Sequence, residues 1–443
     1  MSFSFYLRNN LEKIPFSLGK YLSYIPFSYR PGIAASYRQA DKEIRLFDKM
    51  NQVQKENYIF KKMQFIVNHA YNSIPFYKDF YTSKGFYPDD HLKSFKDIKK
   101  IPIIKKSDLL HVSIDDRSFK SKNTMIVNTG GSSGSTLSFY VPSIKMGIEW
   151  AHLQTIWKNQ MGYKSSDLKI LIVGRSAVTD KVEYDFLRNC LRIDLYSDYK
   201  DVFEKLRTKY KKCEIKFLRG YPSAIYELAL FCKANSQCLH YITKHLKGVI
   251  LVSEFPNAQQ RKFIEDVFKV KTFAFYGHSE GCVIAYENET NNYVPMHSYG
   301  YCEVANCDGN ESLIGTNFYN LASPLIRYNT EDLVENTKYD DNIVKSFSIL
   351  QGRTGEVIID KNNKKIPLTG LIFGRHHKLF DHCTHIQVQQ KTKGSAQILY
   401  VPINNEIITP HTLFDTQNIA IDFEFIKISS PIKTKNGKLK LLV

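Results

Sequence analysis

Between residues 124 and 277 short apolar segments alternate with longer amphipathic ones, and this alternation restricts the fold more than any other feature of the chain. Met125-Ile126-Val127, Phe139-Tyr140-Val141, 168–173, Phe217-Leu218, 248–252 and 272–275 read as strands. The spacing predicts helices over 143–160, 223–234 and 257–268. Strands joined by helical crossovers run parallel, so the segment predicts an α/β fold with a mostly parallel sheet. Ligands of such sheets sit beyond the carboxyl ends of the strands. The loops after Val127, Val173, Val252 and Phe275 are therefore expected to gather on one side.

The flanks differ. Residues 35–64 are charged and periodic and read as one helix, which 61–71 continues with Met63, Ile66, Val67 and Ala70 on one face. Ile74-Pro75 breaks it, because proline disfavours helix at the residue before it. Ser107 is a candidate cap for the next helix. Beyond 350, segments 357–360 and 365–367 predict a strand pair around Asn362-Asn363, and 386–390 and 397–401 predict further strands. The expected division is a helical region over 1–110 belonging to a large domain, its α/β core over 111–351, and a small α+β domain over 352–443. The boundary falls at Gln351-Gly352-Arg353. A chain of 443 residues suffices for this.

Lys plus Arg number 61 against 44 Asp plus Glu, a net charge of +17 that favours anionic partners. Recognisable nucleic-acid motifs are missing, so nucleic acid is not the expected partner. No apolar run has the length of a membrane span, and charge and Ser interrupt the N-terminal apolar stretches, unlike a secretory signal. The aromatic, basic first thirty residues could instead lie on an anionic membrane surface or pack on their own domain. The eight Cys form no CxxC pair, which suggests reduced thiols and a cytoplasmic setting.

The sharpest local feature is Asn128-Thr129-Gly130-Gly131-Ser132-Ser133-Gly134-Ser135-Thr136. Glycines let several backbone N–H groups converge on one anion, and the hydroxyls add donors. It lacks the lysine of a Walker A loop. Alone, it is a phosphate cradle or a surface turn. It is followed in order by Gly220-Tyr221-Pro222-Ser223, Val252-Ser253-Glu254, Tyr276-Gly277-His278-Ser279-Glu280, Pro324-Leu325-Ile326-Arg327-Tyr328-Asn329-Thr330-Glu331-Asp332, Gly352-Arg353 and Gly437-Lys438. It is preceded by Ile74-Pro75-Phe76-Tyr77 and Ile101-Pro102-Ile103-Ile104-Lys105. This succession resembles the adenylate-forming (AMP-binding) superfamily. Within it, the phenylacetate–CoA ligase branch and its CapK-like capsular polysaccharide relatives are most similar.

The resemblance implies an ATP-dependent ligase with a mobile small C-terminal domain hinged at Gly352-Arg353. It places the ATP phosphates in the loop of Thr129, Gly130, Gly131, Ser132, Ser133 and Gly134. It places adenine on Tyr276, beside Gly277, His278, Ser253 and Glu254, and the α-phosphate at Ser279. It assigns Mg²⁺ to Glu280, the ribose hydroxyls to Asp332 with help from Arg327 or Arg353, and catalysis in the first step to Lys438. As bare residues, Ser253-Glu254 would be a helix cap and Arg327 a structural ion pair.

Several positions depart from the family pattern. Glu331 stands where glycine is usual, the residue two past Arg353 is Gly355, and Asn362-Asn363 replaces a glycine near the pantetheine path of CoA-using members. The last change points away from CoA as acceptor. Cys282, His297, Cys302 and Cys307 do not have a zinc-ligand spacing. His297 and Glu303 match positions common in the branch without an assigned role. The cluster Arg375-His376-His377, His382, Cys383 and His385 reads as a surface of the small domain. The expected activity is activation of a carboxylic or amino acid as acyl-AMP, then transfer to a sugar or lipid-linked sugar at the inner face of the membrane. The alternative is an acyl- or aryl-CoA ligase, with CoA as cosubstrate. A silent nucleotide-binding scaffold is disfavoured by the retained Glu280, Asp332 and Lys438.

Overall fold

The computed structural model describes residues 14–121, 123–128, 137–172, 180–193, 197–256, 258–307, 309–351, 357–363, 365–368, 371, 377–403, 407–416, 419–433 and 440–443. The N-terminal region is helical, with α1 (Phe16–Leu22), α2 (Ala34–Asp48), α3 (Gln52–Ser73) and α4 (Pro75–Ser83). The helix read over 35–64 is two helices. Asn51 ends the run because its side chain accepts from Gln54 N at 3.0 Å, while Gln54 returns the bond to Asn51 N at 3.0 Å. That reciprocal capping box starts a new helix despite unbroken charge periodicity. Pro75 is the first residue of α4, where its missing N–H is harmless. Ser107 is not a cap. It lies inside a short helix, Lys106–Leu110, and the Asp108 carboxylate instead accepts from Lys105 N at 2.7 Å.

The strands β1 (Thr124–Asn128) and β2 (Ser138–Pro142) form their own antiparallel pair, with Val127 opposite Phe139. The loop after Val127 therefore joins a hairpin and does not end a strand of the main sheet. Next come α5 (Lys145–Met161), β3 (Leu168–Ile172), β4 (Val182–Asp185), β5 (Cys190–Ile193), α6 (Tyr199–Lys209), β6 (Ile215–Gly220) and α7 (Pro222–Ala234). They are followed by α8 (Ser236–Thr243), β7 (Gly248–Leu251), α9 (Ala258–Phe268) and β8 (Thr272–Gly277). Strands β5, β3, β6, β7 and β8 lie side by side and parallel, as the alternation requires.

From β9 onward the sheet is antiparallel: β9 (Ile284–Glu289), β10 (Asn292–Pro295), β11 (Gly300–Cys307), β12 (Asn310–Asn317), β13 (Tyr328–Asp340) and β14 (Ile343–Gln351). These strands extend the same sheet to twelve, in the order β11-β12-β13-β14-β10-β9-β8-β7-β6-β3-β5-β4. Helix α5 covers one face of the parallel half, and Gly147 lets α2 approach it. A Cβ at Gly147 would stand 2.1 Å from Ser36 Oγ. The C-terminal part contains β15 (Val357–Ile359) paired with β16 (Lys365–Pro367), and β17 (Cys383–Thr392), β18 (Ser395–Pro402) and β19 (Asp422–Lys427) in one sheet. It has an apolar cluster of its own around Ile358, Leu368, Val388 and Ile398.

One buried ion pair ties these parts together. Arg327, 5% exposed, donates through Nε to Glu303 Oε1 at 2.6 Å and through Nη2 to Glu303 Oε2 at 3.2 Å. Its Nη1 donates to the backbone carbonyls of Lys99 and Ile101. The Ile101-Pro102-Ile103-Ile104 segment is thereby fixed to the sheet, and Ile104 continues it by bonding Arg327 O at 3.1 Å and Asn329 N at 2.9 Å. Arg327 is thus the structural ion pair, and Glu303 is its partner. Removing one member leaves an uncompensated buried charge. Arg327→Met is expected to lower unfolding stability in urea by about 3–5 kcal/mol, whereas the double variant Arg327→Met with Glu303→Leu should recover much of the loss.

Candidate active site

The site forms where the sheet changes from parallel to antiparallel. β8 ends in Tyr276-Gly277, and the chain turns through His278-Ser279-Glu280 before reversing into β9. Tyr276 donates its hydroxyl to Asp332 Oδ2 at 2.5 Å, although β9, β10 and β14 separate β8 from β13 in the sheet. The Tyr276 ring stands edge-on to Phe347 of β14, with centroids 5.9 Å apart at 88°. The sheet curls enough to bring two distant motifs into one contact. His278 Nδ1 lies 3.2 Å from Glu280 Oε2, and both side chains are buried. His278 Nε2 is buried with no hydrogen-bond partner.

The turn is held through its backbone. Lys145, in the first turn of α5, donates to Ser279 O at 3.0 Å. Gly281 has φ +68°, and a Cβ there would stand 2.6 Å from Lys145 Nζ, so glycine is needed both for the turn and for the lysine. From the other side Asn317 Nδ2 donates to Glu280 O at 3.1 Å. Asn317 Oδ1 accepts from Asn320 N at 2.7 Å, and Asn320 Nδ2 donates to Tyr140 O at 2.9 Å. Ser323 Oγ accepts from Tyr140 N at 2.9 Å. Buried amides and a hydroxyl therefore connect the β1–β2 hairpin to the Glu280 turn. Sequence reasoning missed Lys145, Asn317, Asn320 and Ser323. Their only signal was polar residues between apolar segments.

Asp332 is fixed by the bend that precedes it. Its N–H donates to Thr330 Oγ1 at 3.2 Å, and that hydroxyl donates to Leu313 O at 2.8 Å. Glu331 N donates to Asn329 Oδ1 at 2.9 Å, and Glu331 itself has φ +63°. The glycine usual at this position in the resembling family thus has a conformational reason. Here a glutamate occupies the left-handed region.

The other expected site residues are placed as follows. Ser253 is exposed at φ +66° in the bend after β7, with Glu254 half-buried beside it. α9 begins at Ala258, and residue 257 before it lies outside the described residues. Gly277 is exposed and Ser279 half-buried. Thr129, Gly130, Gly131, Ser132, Ser133, Gly134, Arg353 and Lys438 lie outside the described residues. His297 is buried and donates Nε2–H to Val344 O at 2.8 Å, and burial holds its imidazole at about 4. Burial pushes the Cys282 thiol up, with the Glu280 charge adding to the effect, so Cys282 is no thiolate nucleophile. Among the described residues no three His, Cys, Asp or Glu side chains converge as a metal cluster. His377 is likewise structural: it stacks on Phe414 at 3.8 Å and accepts from Asp415 N at 2.8 Å.

The strain at Glu331 has a direct test. Glu331→Gly and Glu331→Ala both remove the carboxylate, but only glycine relaxes the backbone. The glycine variant is expected to be the more stable by roughly 1 kcal/mol in urea unfolding.

No family model matches the chain. Protein CapK of Staphylococcus aureus is 26% identical over 306 residues, which cover 65% of this chain and 66% of that protein. The match thus spans just under two thirds of the relative. Among solved structures, 2-hydroxyisobutyryl-CoA ligase in the postadenylation state in complex with R3-HIB-AMP superposes with a TM-score of 0.65. The identity is 15%, over 89% of this chain and 90% of that one. The same ligase in complex with 2-HIB-AMP and CoA, in its thioesterification state, gives a TM-score of 0.56 at 17% identity, over 89% and 90%. The chain thus carries the fold of this ligase and is similar in sequence to CapK.

Proposed function

We propose that this chain is an AMP-forming ligase that activates a carboxylic or amino acid with ATP and passes the acyl group to an acceptor. The Tyr276–Asp332 contact carries this reading, because it joins an aromatic ring and a buried carboxylate at the strand-end turn that also holds Glu280. The ring offers a face for a purine, and Asp332 offers acceptor oxygens for ribose hydroxyls. Glu280 supplies a hard anionic oxygen of the kind Mg²⁺ takes alongside phosphate oxygens. Bound there, the ion would neutralise charge on the phosphates. The unpartnered His278 Nε2 adds a polar group that a ligand can complete.

In the first step a carboxylate oxygen of the acid bonds to the α-phosphorus, the bond to the β-phosphate oxygen breaks, and pyrophosphate leaves. The protein's work is positioning and charge stabilisation. Asp332 and Tyr276 orient the nucleoside, and the family resemblance assigns the phosphates to Thr129–Gly134 and the α-phosphate to Lys438. In the second step the acceptor nucleophile bonds to the acyl carbon and AMP leaves. Both acid and ATP are needed in pyrophosphate exchange. Glu280→Gln and Lys438→Ala are expected to cut that exchange by at least about a hundredfold. Asp332→Asn should raise the KM for ATP roughly tenfold or more. Acid-independent ATP binding with no exchange across a broad acid panel would leave a nucleotide-binding scaffold as the better reading.

For the acceptor we favour a sugar or lipid-linked sugar over CoA, in keeping with a role in surface polysaccharide synthesis. Asn363 adopts φ +64° in the turn between β15 and β16, so it meets the conformational need of a glycine while keeping a side chain. A membrane-linked acceptor also suits the N-terminal face. Tyr29 and Leu46 line one groove with Arg38, Lys42, Arg45 and Lys49, against the single acid Asp41. Leu18, Tyr21, Tyr24 and Ile25 nearby in sequence are exposed as well. Exposed aromatics beside lysines and arginines fit an anionic lipid surface. Among the described residues no helix is long and apolar enough to cross a membrane. The chain should co-sediment with phosphatidylglycerol vesicles but not with phosphatidylcholine alone. Lys42→Glu with Lys49→Glu should abolish the difference, and equal sedimentation with both lipids would refute the membrane part of the reading.

A further inference from the structure

Arg219 stands out among the described residues because its guanidinium has no hydrogen-bond or ion-pair partner, and its Nε is shut off from solvent. Arg219 is half-buried, whereas the buried arginines Arg30, Arg117 and Arg327 are all met by carbonyls or a carboxylate. Arg219 lies one residue before the carboxyl end of β6, where ligands of parallel sheets bind. Its neighbours are rings. The guanidinium carbon is 5.1 Å from the Trp157 centroid and 6.0 Å from that of Phe275. Trp157 Nε1, also buried, has no partner either.

Both orphaned atoms are donors, so an acceptor must complete them. Water reaches the outer part of the half-buried side chain and the rings attract the cation in part, but neither meets the buried Nε–H. Burial disfavours the charged guanidinium; Glu149 acts on it through space without forming an ion pair. Arginine's fork is matched to carboxylate and phosphate.

The place of this cluster relative to the nucleotide site follows from strand geometry. Successive residues of β8 point to opposite faces, so Phe275 faces away from Tyr276. Tyr276 meets Asp332; Phe275 meets Trp157 of α5, with centroids 6.3 Å apart, and Arg219. The registers Arg219↔Ile250 and Ile250↔Phe273 put Arg219 on the Phe273 and Phe275 face. One strand end thus separates the nucleoside side from a second side, where Trp157 of α5 lies beside Arg219 and Phe275.

We propose that this side of the strand end faces the acid substrate, and that Arg219, with Trp157 Nε1, reads a second anionic group on it, a carboxylate or phosphate beyond the one that is adenylated. This rests on the ligase reading and narrows it to dianionic acids. Arg219 is here a specificity-determining residue; its charge is not needed at the reacting carbon.

The test compares matched acids differing by one anionic group: butyrate with succinate, alanine with aspartate, and glycerate with phosphoglycerate. Each is measured by ATP–pyrophosphate exchange and, separately, by the rise in melting temperature it gives the whole chain. The anionic member of at least one pair is expected to be preferred in both assays. Arg219→Met should reduce kcat/KM for that acid roughly tenfold to a hundredfold, leave the KM for ATP unchanged, and abolish the melting shift. Arg219→Lys should restore part of the preference. If anionic acids raise the melting temperature through Arg219 but none supports exchange, Arg219 reads an anion but the ligase reading falls, and with it the substrate role assigned to that anion. Preference for the neutral member throughout, no response to any acid in either assay, or a preference unchanged in Arg219→Met overturns the inference. A melting temperature lowered in Arg219→Met with acid preference intact would show a structural cation instead.

Discussion

The buried pair of Arg327 and Glu303 is the interaction on which the rest of the architecture depends. A guanidinium can be buried only where its donors are met, and here a carboxylate and two backbone carbonyls meet them. Those carbonyls belong to the link that follows the N-terminal helices, the carboxylate belongs to β11, and the arginine itself precedes β13. Five residues further on stands Asp332. The geometry of the candidate ribose-binding carboxylate is therefore inherited from a structural ion pair on the adjacent stretch of chain.

The reversal of strand direction after β8 gives the site its two sides. A parallel strand ends in the turn that carries the candidate site, and the antiparallel strands that follow curl back to supply Asp332 and Phe347. The same strand end presents Phe275 to the other side. A bridge through Asn317 and Asn320 ties the Glu280 turn to the hairpin bearing the Gly/Ser loop. Candidate site motifs far apart in the chain are thus linked by few, buried, directional bonds, each satisfied at both ends.

Most of the parallel half was legible from its apolar runs, but β5 (Cys190–Ile193), short and carrying Arg192, was not. β3 is buried at every position, and β6, β7 and β8 fall within a residue or two of their expected bounds. The antiparallel half was not, since segments such as Asn310–Asn317 mix polar and small residues and gain their shape from pairing alone. Whether Met125-Ile126-Val127 and Phe139-Tyr140-Val141 pair parallel or antiparallel is not encoded in their apolarity, and they proved to be a hairpin. At the site, Tyr276, Glu280 and Asp332 were legible only as parts of an ordered succession of motifs. Arg219 gave one local signal, a charge beside the carboxyl end of a strand that also carries Lys216. Its meaning needed the third dimension, because a missing partner cannot be seen along a chain.

Glu331 and Asn363 occupy left-handed backbone positions without being glycine. Where a family relies on glycine for such a turn, the demand is conformational, and a short bracing hydrogen bond or an Asx-type side chain can meet it instead. Residue identity then drifts while the turn persists. A chain of this kind slips past descriptions written in amino-acid letters, which fits the lack of any matching family model beside clear superposition on a solved ligase. Its remote relatives should be sought by backbone shape, with the sign of φ as the preserved character at these two positions.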